Sequence, residues 1–241
     1  MAVMRMGYMH VRVTDLAEAK EHYANTVGLY QTLEQDGKVY YKGWDEWDHH
    51  SVVLEEGGVG MVKCGFKCET PEDVAVLETK ATAFGYPVER MVAGENPEVG
   101  DGIRVTLPSG HLIEFYSHMT SWGLEVGTHN PDAFPRHMVG IGAPRLDHAL
   151  LWVNDPAGIE KFFIDVVGMF PTERVRTSLD DDAHTIATWL TLGESNHDIA
   201  LLEAPENKIH HFAFEMRGWD DILKAADIMA MDDVPIDIGP T

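Results

Sequence analysis

The sequence predicts an α+β chain built from repeated modules, each a strand, a helix and further strands. Two observations carry this reading. Residues 10–29 (HVRVTDLAEAKEHYANTVGL) and 148–169 (HALLWVNDPAGIEKFFIDVVGM) run in one order: histidine, apolar strand, aspartate, amphipathic helix, then Val-Gly-Leu or Val-Gly-Met. Period-two alternation over residues 145–153 and 208–215 marks strands. Phe212 and Phe214 share one face of the second, with His211, Ala213 and Glu215 on the other.

The first module covers residues 5–62. Asp15 suits the N-cap, since its carboxylate can accept from orphan N–H groups of the first helical turn. Gly28 suits the left-handed position that ends the helix. Asp155 and Gly168 repeat both features at the same separation of 140 residues. His50-Ser51-Val52-Val53-Leu54-Glu55 is echoed by His197-Asp198-Ile199-Ala200-Leu201-Leu202. The second module, 63–118, opens on a strand holding Cys64 and Cys68 and continues with a helix from Pro71. It closes with strands over 103–107 and 111–116 around the turn Pro108-Ser109-Gly110. Residues 119–143 read as a linker rich in Gly, Pro and His. A third module begins near 145 and a fourth near 208. Val234-Pro235-Ile236 echoes Tyr86-Pro87-Val88 and opens the fourth module's next strand, after which the sequence reaches Thr241.

A net charge of −22 argues against nucleic acid or an anionic membrane as partner. No run approaches the ~20 apolar residues of a membrane span, and the N-terminus has no apolar signal core. Two cysteines four apart on one strand make neither an easy disulfide nor a zinc site. They read as reduced packing residues of a cytoplasmic protein.

His148 and His211 would project from the hollow side of two strands, with Ala149, Leu151 and Val153 facing helices. Two neutral imidazoles in one cavity are two-thirds of a metal site. His210 falls on the helix-facing side and reads as a support behind the ligands or as structural. In the first half, His10 and Glu114 stand at equivalent positions. The place matching His211, 148 residues earlier, is Lys63, whose ammonium cannot ligate. The same offset places the counterpart of Glu114 beyond Thr241. His49 and His50, beside Trp44-Asp45-Glu46-Trp47-Asp48, read as a solvated loop entering a strand, and Asp180-Asp181-Asp182-Ala183-His184 as an acidic turn. His129 and His137 lie in the linker.

The motifs Gly7-Tyr8-Met9-His10-Val11, Leu107-Pro108-Ser109-Gly110-His111-Leu112-Ile113-Glu114-Phe115-Tyr116, Leu146-Asp147-His148-Ala149, Asn196-His197-Asp198-Ile199-Ala200, His210-His211-Phe212 and Ile236-Asp237-Ile238-Gly239-Pro240-Thr241 together resemble the type I extradiol dioxygenases of the vicinal-oxygen-chelate superfamily, in their catechol 2,3-dioxygenase branch. The resemblance spans essentially the whole chain. It implies the glyoxalase/vicinal-oxygen-chelate fold of βαβββ modules in two domains of two modules each. These are an N-terminal domain over 1–118 without metal, the linker 119–143, and a catalytic domain over 144–241 whose fourth module is incomplete. It further implies a facial triad on Fe(II) of His148, His211 and a Glu beyond Thr241. His197 is then the acid/base beside the oxygen position, and Trp189 a wall of the substrate pocket. The implied reaction is cleavage of catechol or an alkylcatechol by O2 to a 2-hydroxymuconic semialdehyde, in a homotetramer, within aromatic hydrocarbon catabolism. The family's second pocket histidine and its Tyr and Asp-Pro-x-Gly signature would also follow Thr241. The 241 residues are therefore expected to be a fragment, or the ordered part, of a longer chain to which catalysis belongs. Glyoxalase-type isomerases and small-molecule binding proteins share the superfamily. The former would need a different ligand set and no histidine on the oxygen side.

Overall fold

A computed structural model of the chain describes residues 3–122, 137–180, 182–193 and 195–239. Three times the elements run strand, helix, three strands. The first pass is β1 (Val3–Val13), α1 (Leu16–Glu21), β2 (Tyr30–Gln35), β3 (Lys38–Lys42) and β4 (Val52–Glu56). The second is β5 (Gly60–Cys68), α2 (Pro71–Phe84), β6 (Val88–Met91), β7 (Gly102–Thr106) and β8 (Leu112–Tyr116). The third is β9 (Arg145–Val153), α3 (Pro156–Phe162), β10 (Phe170–Arg176), β11 (Thr185–Thr191) and β12 (Ile199–Glu203). A fourth starts with β13 (Lys208–Glu215) and α4 (Trp219–Met231). The repeated α+β architecture read from the sequence is the one observed.

Local chemistry explains the repeat. Asp15 accepts from the Glu18 N–H at 2.9 Å and Asp155 from the Gly158 N–H at 3.0 Å, each satisfying an orphan donor of a first turn. Both helices then loosen into a π-helical turn, His22–Thr26 and Phe163–Val167, before left-handed Gly28 (φ 80°) and Gly168 (φ 86°) reverse the chain. Helix α2 is fastened more fully, since Thr70 and Asp73 form a reciprocal capping box and Gly85 ends it at φ 99°.

The chain divides into two compact units. One comprises Met1–Met9, Gly60–Thr120 and Asp147–Ala213, the other His10–Val59, Ser121–Leu146 and Phe214–Thr241. In the first, β5 pairs in parallel with β8, and β7 and β6 follow antiparallel. A second sheet in this unit has the order β10-β11-β12-β9-β13. There β12 runs parallel to β9, with Ile199 opposite Ala149 and Leu201 opposite Leu151. Phe66 stacks on Phe115 at 5.9 Å and meets Phe163 at 6.4 Å, while Tyr86 stacks on Phe162 at 5.1 Å. In the other unit, β3 pairs antiparallel with β2 and β4 around fully buried Val39, Tyr41, Val52 and Leu54.

Two expectations need correction. Residues 234–239 form no strand. Pro235 brings no N–H for a ladder, and Ile236 and Ile238 remain exposed. His49 and His50 do not sit in a solvated loop. Both are buried, with their Nδ1 atoms 3.0 Å apart, Trp122 edge-on to His49 and Tyr40 edge-on to His50. Asp180, Asp182 and His184 are exposed as expected, His184 pairing with Glu203 at 2.8 Å; Asp181 lies outside the described residues. Cys64 and Cys68 are free and buried, and burial pushes both thiols up to about 12.

Candidate metal centre

Alternation along β9 sets the site. Ala149, Leu151 and Val153 are fully buried, on the side where Thr188 of β11 reaches Glu160 of α3 at 3.0 Å. His148 and Trp152 take the other side and are partly buried. Trp189 of β11 faces Ala200 of β12, which faces Leu150 of β9. Trp189 therefore shares the face of His148, and it is half-buried there.

Three of the sequence-derived residues come together on this face. The His148 and His211 rings stand 5.4 Å apart and nearly perpendicular, with their Nε2 atoms at 3.4 Å. The His197 ring lies 4.1 Å from that of His148. His148 Nδ1 is 2.7 Å from the Asp147 carboxylate. An ionised carboxylate only accepts, so Nδ1 carries the proton and Nε2 presents its lone pair toward His211. A separation of 3.4 Å is long for a hydrogen bond. It is, however, the spacing of two nitrogens each ~2.1 Å from one ion. The pair thus fits a metal. Among the described residues no group of three or more His, Cys, Asp or Glu could hold an ion, so they supply these two imidazoles as donors.

Asp147 and Asp198 were not given roles by the sequence reading. The signal for Asp147 was its place in Leu-Asp-His. Asp198 is buried and accepts from the Leu192 N–H at 2.7 Å and the Thr191 hydroxyl at 3.3 Å. It thereby fixes the bend that presents its neighbour His197. His210 is exposed; its Nδ1 is 2.7 Å from that of His211, and its ring is 5.2 Å from Trp152. His137 is exposed, and His129 lies outside the described residues.

Burial first, then His148, lowers His197 to about 4; burial, His148 and His210 lower His211 to about 4. Both rings are therefore neutral at pH 7. An unfolded chain takes up these protons near 6.5, whereas the folded site refuses them until near 4. The stabilisation is thus full above 6.5 and is lost as pH falls toward 4. The urea midpoint of metal-free protein should be lower at pH 5 than at pH 7. A double variant, His197→Asn with His211→Asn, should shrink that difference; an unchanged difference would exclude this origin.

The equivalent positions of the first half hold no such pair. His10 Nε2 meets Glu55 at 3.1 Å. Glu114, completely buried, is gripped by Lys63 Nζ at 3.2 Å, Arg104 Nε at 2.7 Å, Asn96 Nδ2 at 2.9 Å and the Tyr8 hydroxyl. Burial pushes its carboxyl up to about 8, and Lys63 and Arg104 supply the charge that pulls the other way.

Comparison with known proteins gives the same picture. A family model described as Catechol 2,3-dioxygenase-like N-terminal domain matches residues 63–120, and one described as Glyoxalase/Bleomycin resistance protein/Dioxygenase superfamily matches 145–241. Metapyrocatechase of Pseudomonas sp. (strain CF600) is 38% identical over 99% of this chain and 78% of its own length. Manganese-dependent 2,3-dihydroxybiphenyl 1,2-dioxygenase of Geobacillus genomosp. 3 is 26% identical over 98% of this chain and 76% of its own. The crystal structure of the 2,3-dioxygenase LapB from Pseudomonas sp. KL28 superposes with a TM-score of 0.90 at 38% identity, covering 100% of this chain and 84% of that one. An anaerobic substrate complex of homoprotocatechuate 2,3-dioxygenase from Brevibacterium fuscum, with 3,4-dihydroxyphenylacetate, superposes with a TM-score of 0.82 at 28% identity, covering 97% and 70%. The likeness to such enzymes holds in the fold and in an alignment that spans nearly the whole chain, and the chain belongs to the extradiol dioxygenases of the vicinal-oxygen-chelate superfamily.

Proposed function

We propose that the protein cleaves catechol or an alkylcatechol with O2 at a non-haem Fe(II), giving a 2-hydroxymuconic semialdehyde, as a cytoplasmic homotetramer in aromatic hydrocarbon catabolism. The observation that carries this is the convergence of the His148 and His211 Nε2 atoms at 3.4 Å beside the His197 ring. His148 and His211 hold the ion, and Asp147 keeps His148 in the ligating tautomer. An Fe(II) held there would supply open coordination positions and the redox chemistry by which a triplet gas can react with a singlet ring. His197, neutral at pH 7, accepts a proton at one ring nitrogen and returns it. Trp189 supplies apolar wall for the aromatic ring. The division into a domain over 1–118, a linker over 119–143 and a catalytic domain over 144–241 is part of the same reading. An isomerase reading calls for a different ligand set and does not need a histidine on the oxygen side.

Protein reconstituted with Fe(II) under nitrogen, then given catechol and air, should consume one O2 per catechol and turn yellow. Protein that carries iron yet takes up no O2 with any catechol would refute the proposal.

A further inference from the structure

Loop residues 43–46 grip the chain ahead of one histidine-bearing strand and behind the other. Glu46 is buried, and its carboxylate accepts from the Gly43 N–H at 2.5 Å, the Ser51 hydroxyl at 2.6 Å and, through the other oxygen, the Leu146 N–H at 3.1 Å. Leu146 precedes His148 by two residues in β9. The Asp45 N–H donates to the Pro144 carbonyl at 3.0 Å, and the Trp44 indole N–H to the Gly142 carbonyl at 3.1 Å. Gly43 lies so close that a Cβ there would meet the Pro144 oxygen at 2.1 Å. Arg145 reaches Asp45 at 3.7 Å and Glu215, at the end of β13, at 2.9 Å. Two residues further, the Arg217 guanidinium lies 4.3 Å over the Trp44 ring.

We propose that Glu46 is a positioning residue and that residues 43–46 form a clamp setting the register of the two strands that present His148 and His211. A buried carboxylate with three donors is expensive to place and rigid once satisfied, which suits a part that fixes geometry. The metal arm of this proposal rests on the function proposed above; the mechanical arm does not.

Glu46→Gln cuts the tie selectively. The Gly43 N–H at 2.5 Å leaves no room for an amide N–H beside it, so the new NH2 must face Leu146 and release that bond. In metal-free protein, amides of residues 145–150 should exchange about tenfold faster while those of α2 stay unchanged. Co(II) bound by the wild type, followed by its visible spectrum, should bind roughly tenfold more weakly in the variant. Glu78→Gln, which breaks an exposed pair with Arg90, should change neither readout. If Glu46→Gln does not fold, Trp44→Phe is read the same way, since it keeps the ring under Arg217 and removes the indole N–H. Unchanged exchange at 145–150, an equal rise in α2, or undiminished Co(II) affinity overturns the clamp. A wild type that takes up no Co(II) overturns the metal reading instead, and exchange still decides the clamp.

Discussion

His211→Ala is expected to lose bound metal and with it all ring cleavage. The structure offers two convergent imidazole nitrogens, and deleting one leaves His148 with its single lone pair. A site that has lost one of its two imidazole ligands holds a divalent ion far less tightly, so affinity should fall by several orders of magnitude. The fold should survive, because His211 is only partly buried near one end of the sheet order β10-β11-β12-β9-β13. Metal analysis of dialysed variant and wild type, with O2 uptake alongside, reads both consequences. A variant that keeps wild-type metal content removes His211 from the ligand set.

His197→Asn is expected to separate binding from turnover. The ring sits 4.1 Å from that of His148, but no Nε2 convergence like that between His148 and His211 is seen for it. Asparagine keeps polarity and approximate size but has no basic ring nitrogen that can accept a proton from a reacting group. Turnover should fall by roughly 10²–10⁴, the usual worth of positioned acid–base help, while metal content and catechol affinity stay near wild type. Loss of metal with unchanged turnover per bound ion would make His197 a ligand.

Much of this was legible because strands and helices write their periods into the sequence. The parity of Ala149, Leu151 and Val153 against His148 needs no knowledge of the partner strands, and the four capping and turning residues Asp15, Gly28, Asp155 and Gly168 mark the repeat. What stayed hidden depends on distant chain. The burial of His49 and His50 is decided by Tyr40 and Trp122 closing over them, which a local window cannot reveal. The π-helical turns at His22–Thr26 and Phe163–Val167 do not disturb an apolar pattern read at 3.6 residues per turn. The strand expected after Val234 has apolar residues of the right type but joins no ladder among the described residues, and propensity alone does not hold an extended segment. Asp147 was visible as a letter beside His148; only the 2.7 Å contact gives it a role.

Cys64 and Cys68 carry a lesson about durability. A catalyst that draws dioxygen to itself lives beside stray oxidants, and the form of cysteine they attack is the thiolate. With both sulfurs sealed inside the fold and pushed up to about 12, roughly one in 10⁵ is ionised at pH 7. The only two thiols in the sequence are thus poor targets for corrosion, so ageing of this protein in air should begin elsewhere than at its sulfhydryls.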